Sequence, residues 1–176
     1  MPPPIDRDVK LLVEEVIPRV TEYGPLLELR LEDGRIFKLY SIPLEIASAV
    51  NKLREGNSYP PYINRESVFD ALVDLRDLIK DLLDKLTRVV INEMDPDTGL
   101  YTAVIEFNLG GIILRKKMIP SHATYLALLA EKPIYVSKRL VDEQELHERQ
   151  MEELRDLIRG AAEEEGEEGE EEEEEE

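Results

Sequence analysis

Two histidines, His122 and His147, no cysteine and 40 acidic residues bound the chemistry that this 176-residue chain can carry. Without cysteine there is no disulfide framework, no thiolate metal centre and no sulfur nucleophile, and two imidazoles cannot build a three-histidine zinc site. His122 directly follows Pro120-Ser121, at the expected opening of a helix. There the helix dipole favours the neutral imidazole, the form that ligates a metal or accepts a proton. The competing reading is a surface residue of the first turn. Ser121 reads as a helix N-cap or as a nucleophile, and no acid–base partner for it is identifiable in the sequence. Glu66 falls in the expected first turn of another helix, opened by Asn64. Asp70 follows at the i, i+4 spacing at which two carboxylates can share a divalent ion. The same acids equally support a helix N-terminus without binding anything. Arg115-Lys116-Lys117 is the one compact basic cluster, and alternation puts Arg115 and Lys117 on one strand face, as a solvated edge or a contact to phosphate. His147 lies in a charged helix and reads as solvated.

No common signature organises these residues. The chain has no GxxxxGK[ST], GxGxxG, GxSxG or HExxH pattern. Asp95-Pro96-Asp97-Thr98-Gly99 resembles a calcium loop in composition, but it is short and lacks the later bidentate glutamate, so hairpin chemistry is the better account.

The elements that must position these side chains follow from periodicity. Leu11 to Ile17 is a first strand, and Leu26–Leu31 and Ile36–Tyr40 flank the turn Glu32-Asp33-Gly34-Arg35. Ser41 is expected to cap a helix with Pro43 in its first turn, which Gly56 ends. From Asn64 to about Leu86, Val68, Leu72, Leu75, Ile79, Leu82 and Leu86 keep a four-three spacing that predicts one long helix, packed on a sheet or forming a seam between subunits. Val89–Ile91, Tyr101–Phe107 and Ile112–Met118 form a predicted meander, followed by a short helix over 122–130 and an extended segment at Pro133–Ser137. Strands interrupted by helices without a βαβ repeat give an α+β fold, a mixed and largely antiparallel sheet packed against helices. The expected divisions are a domain over 1–140, a charged helix over 141–162 and a disordered acidic tail over 163–176.

Charge separates tail from body. The formal net charge is -18, yet residues 163–176 hold 12 glutamates and no base, which leaves about -6 for the rest. Such a balance excludes a generic cationic nucleic-acid binder, because phosphates are repelled at long range. The opening residues lack a signal-peptide pattern and no apolar run approaches a membrane span, so a soluble cytoplasmic protein is expected, without membrane partners. The absence of cysteine and tryptophan beside 35% charged residues fits a thermophile.

In order, the features from about Leu11 to Glu143 resemble the bifunctional nuclease domain family. The resemblance is carried by Phe37-Lys38-Leu39-Tyr40-Ser41-Ile42-Pro43-Leu44-Glu45-Ile46-Ala47, by Arg88-Val89-Val90-Ile91, and above all by Ile119-Pro120-Ser121-His122-Ala123 leading to Leu126-Ala127-Leu128. Lys132-Pro133-Ile134-Tyr135-Val136-Ser137 is similar to the family's closing motif. The resemblance implies a homodimeric domain and, as in some members, cleavage of DNA and RNA. Where the family has Thr-His-Asp, this chain has Asn64-Arg65-Glu66, and where it has Arg-Pro-Ser-Asp, this chain has Ile119-Pro120-Ser121-His122, which implies an atypical site. Two functions follow. In the first, a nuclease holds Mg or Mn between Glu66 and His122, with Asp70 as a further ligand, to activate water, Arg65 steadies the scissile phosphate, and Asn64, Ser121, Arg115 and Lys117 help to bind the substrate. In the second, a non-catalytic dimeric module uses its acidic tail to engage a basic partner or to mimic nucleic acid.

Overall fold

The computed structural model describes residues 8–57 and 65–173, with side chains through 162. Seven strands form one sheet: β1 (Lys10–Thr21), β2 (Gly24–Leu31), β3 (Ile36–Leu39), β4 (Leu86–Met94), β5 (Tyr101–Asn108), β6 (Ile113–Met118) and β7 (Ile134–Ser137). Their order is β3-β2-β1-β7-β4-β5-β6, and every pairing is antiparallel except β4 with β7. Helices α1 (Leu44–Glu55), α2 (Val68–Asp74), α3 (Lys80–Leu83), α4 (Pro120–Ala130) and α5 (Lys138–Glu173) complete the chain, and the fold is α+β. Among the described residues no helix is long and apolar enough to cross a membrane.

The core follows from strand alternation. Leu27, Leu29 and Leu31 on β2, Val89 and Ile91 on β4, and Ala103 and Ile105 on β5 bury their side chains against Ile46 and Val50 of α1 and Ala123, Ala127 and Leu129 of α4. Helix α1 packs on β1 and β2, and α4 packs on β4 and β5. The intervening residues Val90 and Val104, paired across β4 and β5, form a small second cluster with Tyr135 on the opposite face. Clustering of the chain gives two units, Met1–Val141 and Asp142–Glu176.

The expected single helix from Asn64 to Leu86 is instead two short helices. α2 ends at Asp74, residues 75–79 turn, α3 spans one turn, and Leu86 is the first residue of β4. Asp74, Asp77, Asp81 and Asp84 are weak helix formers at close intervals, and the turn lets Phe69, Leu72, Val73, Ile79, Leu83 and Leu86 reach the same core. Val68, Leu75, Leu78 and Leu82 are left exposed. The caps also shift. Ser67 caps α2, and Asn64 lies outside the described residues. Pro43 and Ile119 occupy the N-cap positions of α1 and α4, so Ser41, with φ 52°, and Ser121 cap neither helix. Gly56, at φ 78°, closes α1 as its sequence implies. Asp95–Gly99 is the hairpin turn between β4 and β5, in which the Asp97 N–H donates to Asp95 at 2.9 Å.

Composition predicts a charged helix over 141–162 and disorder beyond it. Instead α5 starts directly after β7 and its helical backbone continues to Glu173. Glutamate is itself a good helix former, and extending an existing helix needs no new nucleus.

Candidate functional site

The opening of α2 is fixed by a reciprocal pair. The Ser67 hydroxyl accepts from the Asp70 N–H at 3.3 Å, while an Asp70 carboxylate oxygen accepts from the Ser67 N–H at 3.0 Å and the Ser67 hydroxyl at 2.9 Å. This is a capping box, written in the sequence as Ser67-Val68-Phe69-Asp70. It gives Asp70, only 4% exposed, a structural task and places Glu66 before the helix rather than in its first turn.

Glu66 is instead held by a residue that sequence spacing does not flag. Lys52, from the last turn of α1, donates to Glu66 at 3.1 Å and to Asp74 at 2.8 Å. Its side chain is 13% exposed. The Asp74 carboxylate foremost, and Glu66 with it, hold the Lys52 ammonium above the ordinary lysine range against the opposing effect of burial. Glu66 and Asp70 are thus engaged within the protein in different ways. One is ion-paired across two helices and the other closes a helix end.

His122 and the α2 opening nevertheless meet through an aromatic side chain. The ring of Phe69 lies edge-on to His122 at 5.5 Å and to Tyr125 at 5.3 Å. The Tyr125 hydroxyl donates to the Phe69 carbonyl at 2.5 Å. Burial pushes the Tyr125 phenol up to about 12, and the nearby Asp70 carboxylate adds to the shift. His122 is half-buried, and Ser121 beside it is 3% exposed. These contacts link the first turn of α2 to the first two turns of α4.

An open groove of about 320 Å³ is lined by Leu44, Glu45, Arg65, Glu66 and Ser67. Arg65 is exposed there. The groove thus gathers Arg65 and Glu66 from one segment and the opening of α1 from another.

Arg115 and Lys117 lie on one face of edge strand β6, opposite Glu106 and Val104, with Lys116 on the other face. Arg115 bonds Glu106 at 2.9 Å, Arg88 approaches the same carboxylate at 3.5 Å, and Lys117 bonds Glu93 at 2.8 Å. Burial alone would raise Glu106, but Arg115 and Arg88 together hold its carboxyl below the usual glutamate value. Arg115 and Lys117 are thereby matched by acids of β5 and β4. His147 is exposed on α5.

Among the described residues, no group of three or more His, Asp and Glu side chains converges as metal ligands. The chain matches no protein-family model and no curated protein.

Proposed function

We propose that the chain is a non-catalytic, dimeric interaction module built on a domain similar to the bifunctional nuclease family. The observation that carries this reading is the Lys52 ammonium, 3.1 Å from Glu66 and 2.8 Å from Asp74. Lys52 engages one oxygen of each carboxylate and offsets part of the negative charge that attracts a divalent ion, which weakens this position as a metal centre. Asp70 is occupied by the capping box. The acidic segment 163–176 then supplies the recognition chemistry, an electrostatic attraction for a basic protein partner. A cytoplasmic protein of a thermophile fits the cysteine-free, ion-rich composition.

The second reading is a metal-dependent nuclease, in which Glu66 and His122 take Mg or Mn and Arg65 contacts phosphate. It is favoured by the contact of Phe69 with His122, since it needs the openings of α2 and α4 to adjoin. Incubation with single-stranded and duplex DNA and RNA, with Mg²⁺ or Mn²⁺, decides between them. The expected result is no cleavage above background. Cleavage that vanishes in Glu66→Ala and drops strongly in His122→Ala would establish the nuclease instead.

A further inference from the structure

Helix α5 presents large apolar side chains to solvent: Met151 is 40% exposed, Leu154 49%, Leu157 72% and Ile158 62%. Met151, Leu154, Ile158 and Ala161 keep the three-four spacing of a helix seam, and Leu157 widens it. Such a stripe on a soluble helix is normally covered. Among the described residues, the unit Asp142–Glu176 holds no element besides α5 to cover it.

We propose that the centre of the stripe is covered by α5 of a second copy of this chain, laid antiparallel, with Met151 of each copy against Leu154 of the other and Ile158 beside His147 of the partner subunit. Charge selects both the occupant and the direction. With Met151 at position a of a heptad, Glu148 and Arg155 fall at position e. In an antiparallel pair e faces e, so Glu148 of one copy meets Arg155 of the partner subunit, and the two-fold axis makes this ion pair twice. A parallel pair sets Arg155 against Gln150. It also lays the 12 glutamates of residues 163–176 beside another 12, whereas the antiparallel pair sends the two acidic segments to opposite ends. This inference rests on the dimeric reading above and adds to it a surface and an orientation.

The test uses the full-length chain. Light scattering at micromolar concentration should return twice the 20.3 kDa chain mass, and Leu154→Glu should return the single-chain mass with an unchanged circular dichroism spectrum. Arg155→Glu alone or Glu148→Arg alone should weaken dimerisation by about tenfold, and the combined exchange should restore it. Because the chain has no cysteine, orientation can be read with one introduced thiol per copy. A mixture of Glu148→Cys and Arg155→Cys proteins should oxidise to a mixed cross-linked pair, and neither protein alone should do so efficiently. A monomeric wild type removes the dimeric reading together with this inference. A dimer that survives Leu154→Glu, for instance one that dissociates instead in Leu78→Glu on the α2–α3 face, overturns this inference and leaves the dimeric reading standing. Failure of the double exchange to rescue, or cross-linking of Glu148→Cys with itself, overturns the antiparallel arrangement.

Discussion

Tyr125 ties the opening of α2 to α4. It is 1% exposed, donates to the Phe69 carbonyl, packs against the Phe69 ring and lies within the field of Asp70. Its phenol ionises near 12 in the folded protein against an ordinary value of 10.0. A raised value for an acid that is neutral when protonated means that folding favours the protonated form. The associated stability is therefore complete below pH 10 and is lost as pH rises towards 12, by about 2–3 kcal/mol in all. Urea unfolding across that range should show this alkaline decline, and Tyr125→Phe should flatten it while costing about 1 kcal/mol at neutral pH for the lost hydrogen bond. An equally steep decline in the variant would mean that another group is responsible. At this scale the sequence disclosed residue types and little else. The pairing of Lys52 with Glu66 and the meeting of Phe69 with Tyr125 join residues 14 and 56 positions apart, which no local pattern records.

The segment following the first helix shows how an error in the element carries over to half of its residues. Of the four-three apolar line, Leu72, Ile79 and Leu86 face the core while Val68, Leu75 and Leu82 are exposed, and the continuous helix that it implied turns at 75–79. A seam pattern holds only while the backbone stays helical, and once the chain turns its alternate members point away from the core. The start of α2 is written in the sequence as Ser67 followed three residues later by Asp70, a capping-box pattern, although the expected cap was Asn64. Removing that cap in Ser67→Ala should cost about 1 kcal/mol, read as a lower urea midpoint. Glu66→Ala should cost less than about 0.5 kcal/mol, because its side chain is 59% exposed and its pairing with Lys52 is screened by water. If Glu66→Ala proved as costly as Ser67→Ala, the carboxylate would be anchoring more than a surface ion pair.

For the molecule as a whole, the acidic segment is the most separable part. Ending the chain at Ala162 should shift the melting temperature by no more than about 2 °C, because consecutive carboxylates repel one another and bring no apolar surface to bury. The same truncation should weaken association with a basic protein such as a histone, and the difference should fade as salt screens the charges. A loss of several degrees would show that residues 163–176 pack on the rest of the protein. The α+β class, the β2–β3 and β4–β5 hairpins, the closure of α1 at Gly56 and the partition of Arg115 and Lys117 from Lys116 were all determined by the sequence. Each depends on a period of two, a local turn residue or a composition that a short window contains. The order of the strands, the parallel seat of β7 beside β4 and the fate of the candidate acids were decided only by tertiary structure. A carboxylate's role depends on which groups the fold brings within about 3 Å of it, and the partner of Glu66 arrives from a different helix.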